Sequence, residues 1–156
     1  MNTKTTPTPQ PRVPHAYLAL DPGITTGWAL LDPDSDEILG SSVWGTAELK
    51  GTLDLLIRTV FTAGARLTAV IEKMPNTGRM GPLGQKLEQV RRDIYGTITD
   101  VYEIPVRVVA PSEWKPSRVA RVGKARLPKK FNGSPLTPHQ RDAILMGWYV
   151  IDKERP

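Results

Sequence analysis

The stretch Ala16-Tyr17-Leu18-Ala19-Leu20-Asp21-Pro22-Gly23-Ile24-Thr25-Thr26-Gly27-Trp28-Ala29-Leu30-Leu31 decides the fold. Ala16 to Leu20 is an unbroken apolar run too short for a helix. It reads as a largely buried strand that ends in a carboxylate, Asp21. Pro22-Gly23 turns the chain, and Thr26 to Leu31 forms a second strand. The polar turn Asp32-Pro33-Asp34-Ser35-Asp36-Glu37 leads into a third, Ile38 to Trp44. Short connections of this kind join antiparallel neighbours, so the opening is a meander.

From Thr46 the period changes. Leu49, Leu53, Leu56, Ile57 and Val60 line one face of a helix. Thr68-Ala69-Val70-Ile71-Glu72 is again continuously apolar, the pattern of a strand covered on both faces, and it too ends in a carboxylate. Pro75 to Gly84 reads as a Gly/Pro loop. Leu83, Leu87, Val90, Ile94, Ile98 and Val101 then predict one long amphipathic helix over 83–102, followed by a fifth strand, Val106 to Val109. Thr137 has the character of an N-cap with Pro138 at the first helical position, and Ile144, Trp148 and Ile151 supply the buried stripe of a last helix. The order is three meander strands, helix, strand, helix, strand, helix. It implies an α/β fold with a five-stranded mixed sheet, antiparallel meander plus parallel strands, flanked by helices.

The chain has 156 residues, which suits one domain, expected over 15–156. Residues 1–14 carry four prolines among Thr and Gln and read as a flexible Pro/Thr-rich tail. Cysteine is absent, which excludes disulfides, thiolate metal sites and cysteine nucleophiles and fits a reducing, cytoplasmic compartment. No apolar run approaches the ~20 residues of a membrane span, and the N-terminal residues have no signal-peptide core.

The net charge is +5, but it is unevenly placed. Residues 110–136 hold Lys115, Arg118, Arg121, Lys124, Arg126, Lys129 and Lys130 against the single anion Glu113, a segment of +6. Residues 1–14 add +2, which leaves the remainder at −3. A charge run is often only a solvated loop; the alternative is a strip that contacts polyphosphate.

If the first and fourth strands are parallel neighbours, Asp21 and Glu72 leave the sheet at the same carboxyl edge, where open α/β sheets place ligands. The last helix offers His139 and Asp142, three apart and so on one face, away from the apolar stripe. Singly, each has an ordinary structural explanation: Asp21 as a turn residue, Glu72 as a solvated strand end, Asp142 as a complement to a helix N-terminus. Together they are four metal-competent side chains from three elements. Asp32, Asp34 and Asp36 only imitate a calcium loop, because Glu37 stands where glycine is needed and Val43 where glutamate is needed. Gly78, Gly81 and Gly84 lack dinucleotide spacing. His15 has no predicted role.

The run Leu20 to Ala29, with its Asp-Pro-Gly and Thr-Gly elements, resembles the opening signature of RuvC-type Holliday junction resolvases. Val70-Ile71-Glu72 resembles the family's second acidic strand. His139-Gln140-Arg141-Asp142-Ala143 resembles its closing helix motif in a His-x-x-Asp form. The three motifs occur in order across 15–156, and Pro111-Ser112-Glu113-Trp114-Lys115 is similar to compact bacteriophage members.

The resemblance implies an RNase H-like fold, a homodimer, and symmetric nicking of four-way DNA junctions with magnesium. It makes Asp21, Glu72, His139 and Asp142 the metal ligands. Two departures stand out. Pro75 occupies the position of a junction-stacking aromatic, leaving Met74 as wedge candidate, and Val122-Gly123-Lys124-Ala125 matches the family's lysine stretch only loosely.

The implied chemistry is phosphodiester hydrolysis by two Mg2+ or Mn2+ ions about 3.5–4 Å apart, leaving 5′-phosphate and 3′-hydroxyl ends. Asp21 would bridge the ions, Glu72 would hold one, and His139 with Asp142 the other. The imidazole favours manganese. The basic segment, with Arg79 and Lys86 on the other loop, would track DNA phosphates. Tyr95 and Tyr102 lie off the main stripe of their helix and are either core or dimer contacts. Competing readings are a YqgF-type nuclease acting on RNA precursors, a branched-DNA nuclease of relaxed selectivity, and a non-catalytic DNA-binding module. An actin-like ATPase needs two lobes where 156 residues supply one, so neither a nucleotide cofactor nor a membrane is expected as a partner.

Overall fold

The computed structural model describes residues 13–74 and 81–156. The expected tail 1–14 falls outside them but for residues 13 and 14, as do Pro75 and Arg79. Five strands form one sheet: β1 (His15–Asp21), β2 (Thr25–Leu31), β3 (Ile38–Gly45), β4 (Arg66–Glu72) and β5 (Val106–Val109), in the order β3-β2-β1-β4-β5. β1 to β3 are antiparallel neighbours, while β1–β4 and β4–β5 are parallel. The expected mixed sheet, with its meander and parallel strands, is the one observed.

Register decides which side chains share a face. Ala19 pairs with Ala29 on β2 and with Val70 on β4, and Asp21 pairs with Gly27. By alternation, Tyr17, Ala19, Asp21, Gly27, Ala29, Leu31, Val70 and Glu72 look to one side of the sheet. Leu18, Leu20, Ala69 and Ile71 look to the other. Each side carries its own apolar core. On the first, the sheet packs against Trp114, Ala120, Leu136 and the buried residues Ala143 to Ile151. On the second, it packs against Leu49, Leu53, Ile57, Val90, Ile94 and Ile98.

The helices are α1 (Thr46–Thr62), α2 (Pro82–Tyr95), α3 (Pro111–Trp114), α4 (Arg118–Arg126) and α5 (Pro138–Glu154). α1 starts at Gly45, whose N–H is capped by the Glu48 carboxylate at 2.8 Å. Among the described residues no helix is long and apolar enough to cross a membrane.

One expectation is corrected. The helix expected over 83–102 runs without a gap but is not α-helical throughout: α2 passes at Gly96 into a π-helical turn, Gly96–Val101. The wider turn breaks the spacing on which the stripe was read, and both ends of that stripe, Leu83 at 61% and Val101 at 67%, are exposed. The basic segment, on sequence grounds either a solvated loop or a phosphate-contacting strip, has regular structure of its own. It contains α3, α4 and a hairpin, β6 (Lys130–Phe131) with β7 (Ser134–Pro135), closed at Asn132-Gly133 with both residues at positive φ. Asn-Gly is the sequence signature of such a two-residue turn.

Candidate active site

β1 and β4 end side by side, so Asp21 and Glu72 stand on adjacent strands at the carboxyl edge, on the α5 side. α5 delivers the third element. Its N-terminus is held by a capping box: the Thr137 hydroxyl accepts from the Gln140 N–H at 3.2 Å, and the Gln140 side-chain carbonyl accepts from the Thr137 N–H at 3.0 Å. The Gln140 amide then donates to Ser41 Oγ at 3.1 Å, and Ser41 donates to the Trp28 carbonyl at 2.8 Å. The first turn of α5 is thereby tied to the meander. Close approach is possible because β2 has glycine at position 27: a Cβ there would lie 2.6 Å from the Cβ of His139.

The result is a direct contact between elements 118 residues apart, with His139 Nδ1 at 2.8 Å from Asp21 Oδ2. A carboxylate only accepts, so the imidazole Nδ1–H donates. Asp21 is 5% exposed, whereas the His139 side chain is 48% exposed. The pair therefore has one buried partner and one open to solvent.

Glu72 is held from the opposite side by the Trp114 indole, whose Nε1–H donates to Oε2 at 2.8 Å. Burial pushes both carboxyls above their ordinary range. For Asp21, the His139 bond and charge and Lys115 pull it back, while Asp142 pushes it further up. For Glu72, the Trp114 bond and Lys115 pull it down, while Asp21 and Asp142 raise it. Asp21 and Glu72 thus each have a further carboxyl pushing them up, the state a divalent cation relieves. Among the described residues no three His, Asp or Glu side chains are gathered to hold an ion as they stand. The donor chemistry, three carboxyls and one imidazole, fits a hard divalent ion such as Mg2+ or Mn2+.

The other sequence candidates are spread more widely. Lys115 is exposed, its Nζ 5.6 Å from the Trp114 ring centre, and it acts on both carboxyls. Arg118, Arg121 and Lys124 are exposed on α4; Lys129 and Lys130 are exposed around β6; Lys86 is exposed on α2. Arg126 is engaged within the fold, 5.2 Å from the Trp148 ring centre and 3.9 Å from Asp36. Met74 is half-buried against the α1–α2 core. Tyr95 and Tyr102 pack against that same core, and the Tyr102 hydroxyl donates to Asp54.

Two residues escaped the sequence reading. Trp114 drew notice only within a motif, although one aromatic inside a cationic stretch is itself a sign of an anchor. Gly27 drew none as a spacer, although glycine inside a strand signals close backbone approach.

No protein-family model matches the chain, and no curated protein matches it. Solved structures do. The structure of T. thermophilus RuvC in complex with Holliday junction substrate aligns at a TM-score of 0.62 and 14% identity, over 86% of this chain and 90% of that one. The Thermus thermophilus RuvC structure aligns at 0.59 and 15%, over 85% and 91%. At these identities the likeness is one of fold, and the fold of this chain is the RNase H-like fold of RuvC.

Proposed function

We propose that the chain is a metal-dependent endonuclease that resolves four-way DNA junctions by hydrolysing phosphodiester bonds, leaving 5′-phosphate and 3′-hydroxyl ends. The observation that carries the reading is that Asp21, in contact with His139, and Glu72 end adjacent parallel strands at the carboxyl edge of an RNase H-like sheet. Support comes from the neighbour of that fold solved with a Holliday junction.

Asp21, Glu72, His139 and Asp142 would hold two Mg2+ or Mn2+ ions. When bound, such ions activate water and stabilise the departing oxygen. Asp21 offers Oδ1 while Oδ2 orients the imidazole, and His139 offers Nε2. Glu72 offers the oxygen not engaged by Trp114. Lys115, whose charge acts on both carboxyls, would meet the phosphate. Arg118, Arg121 and Lys124, with Lys129 and Lys130, follow along α4 and the hairpin and would contact the backbone of the junction arms, with Lys86 and Arg79 on the other flank. Met74, beside the Pro75 that takes the junction-stacking position, would be the wedge candidate. A homodimer supplies the second cut, and residues 15–156 act as one nuclease domain. The resemblance to compact bacteriophage members makes the cytoplasm of a bacterial host the compartment.

The test is a labelled four-way junction beside a flap, a linear duplex and RNA, each with Mg2+ or Mn2+, with Asp21→Asn as control. Paired, symmetric nicks in the junction are expected, absent in the variant. Equal cutting of flap and junction would indicate a branched-DNA nuclease of relaxed selectivity. Cutting of RNA alone, or binding without cleavage, would overturn the reading.

A further inference from the structure

Trp114 lies in the most cationic part of the chain and is nevertheless 2% exposed. It sits on α3, a single turn fixed from two directions. On one side, Glu113 Oε1 accepts from the Tyr149 hydroxyl and from Lys153 Nζ, both at 3.1 Å and both on α5. On the other, the indole ring packs into the α5-side core and Nε1–H reaches Glu72 Oε2 at 2.8 Å. The ring nitrogen has no other role open to it, because an indole donates one hydrogen bond and accepts none.

Glu72 needs such a partner. It stands at the end of β4 on a side chain with three rotatable bonds, and a carboxylate free to rotate presents its oxygens in many directions. A single directed N–H selects one orientation and occupies one oxygen, leaving Oε1 for a cation. Lys115, the next residue on the same turn, acts on the same carboxyls from the solvent side.

We propose that Trp114 is a positioning residue whose indole N–H holds the Glu72 carboxylate in the orientation that receives the divalent ion. This rests on the nuclease reading above, in which Glu72 is a metal ligand. α3 then makes the start of the DNA-contacting segment and the metal carboxylate parts of one rigid unit.

The measurement is Mn2+ affinity of the full chain, read from the electron paramagnetic resonance signal of free Mn2+, for wild type, Trp114→Phe, Glu72→Gln and the double variant. Phenylalanine keeps an aromatic ring but removes the donor together with part of the buried ring, a packing loss that would act equally in both Glu72 backgrounds. Outer partners of metal ligands typically contribute about 10–100-fold in affinity. Trp114→Phe should therefore weaken Mn2+ binding about 10-fold or more in the wild-type background. In the Glu72→Gln background it should have almost no further effect, because the group it positions is gone.

An equal loss in both backgrounds, or no loss, would overturn the proposal while leaving the nuclease reading intact. Unchanged Mn2+ affinity in Glu72→Gln would overturn that reading itself, and the proposal with it. A second measurement does not alter Trp114. Its indole N–H resonance in a nitrogen–proton correlation spectrum should move when Glu72 becomes Gln and broaden on addition of Mn2+. A resonance that ignores both changes would equally overturn the proposal.

Discussion

Gly27 and His139 are in backbone contact, although they belong to different elements and 112 positions separate them. A methyl group on Gly27 would lie 2.5 Å from the His139 carbonyl oxygen and 2.6 Å from its Cβ. The same strand position faces Asp21 across the β1–β2 ladder. One missing side chain therefore lets α5 descend until its histidine reaches the carboxylate.

Gly27→Ala should separate that pair. Inserting a methylene into a packed contact costs about 1–3 kcal/mol. For a chain of this size that corresponds to a melting temperature lower by roughly 2–12 °C. Because α5 is tied at its first turn through Gln140 and Ser41, the helix has to shift or tilt, and nicking should fall further than stability does. Thermal denaturation beside junction cleavage checks both. A variant with unchanged melting and full activity would contradict the contact.

The carboxyl cluster makes a prediction about metal and pH. Asp21 and Glu72 both titrate above their ordinary values because burial penalises their charge. The folded chain therefore holds these protons more tightly than the unfolded chain does. Unfolding free energy should fall as pH rises from the ordinary carboxylate range through the raised values, and level off beyond. A divalent ion at about 100 times its dissociation constant should restore about 2.7 kcal/mol at neutral pH, near 5–10 °C in melting temperature. Asp21→Asn should be at least as stable as wild type without metal, gain much less from metal, and be inactive. Melting curves with and without Mn2+ at several pH values measure all three.

As a proposed ligand, His139 would supply the one nitrogen in an otherwise oxygen donor set. Nitrogen ligands favour manganese over magnesium, so wild type should cleave faster in Mn2+. His139→Asp should shift the preference towards Mg2+ even if the overall rate drops. The ratio of the two rates is the quantity to compare. Equal ratios in wild type and variant would remove His139 from the ligand set.

The parts of this fold legible in the sequence share one property: their pattern is local. The three meander strands, β4, β5, α1 and the Thr137-Pro138 start of α5 follow from apolar runs, turns and caps. Asp21 and Glu72 could be placed at one edge as soon as β1 and β4 were taken as parallel neighbours. What escaped depends on tertiary contacts. α4 is a short helix in which cations alternate with Val, Ala and Gly, and its place is set by Gly123, where a Cβ would lie 2.8 Å from Leu145 and 3.2 Å from Trp148. The π-helical turn leaves no periodic trace, because it is itself a break in period. Trp114 and Gly27 act through residues far away in sequence, so neither role is visible from spacing.

At the far end of α5 a second anchor makes a pH prediction independent of metal. The buried Tyr17 donates to Glu154, which also accepts from Arg107 at 2.6 Å. Although burial pushes the Glu154 carboxyl up, these two bonds hold it below its usual range. Burial and the Glu154 bond raise Tyr17 to about 12. A phenol that keeps its proton longer in the fold than in the unfolded chain costs stability as pH rises from about 10 to its folded value. Urea midpoints should drop over that interval, and Tyr17→Phe should show a shallower drop. Parallel curves for the two proteins would break the link between Tyr17 and Glu154.

The basic segment divides into cations that serve the fold and cations that are free for DNA, and salt can separate them. Arg126 lies over Trp148 and close to Asp36, while Arg118, Arg121 and Lys124 are exposed on α4. Each phosphate contact contributes about 0.9 to the slope of log affinity against log salt. Alanine at Arg118, Arg121 and Lys124 together should weaken junction binding and flatten that slope by about 2–3, with melting nearly unchanged. Arg126→Ala should do the reverse: it should lower melting through loss of its ring and carboxylate contacts, and leave the slope within about one unit of wild type. Fluorescence anisotropy of a labelled junction between low and physiological salt gives the slopes. If the triple variant kept the wild-type slope, α4 would be a solvated helix on the outer face of α5, and the phosphate contacts would have to come from elsewhere on the molecule.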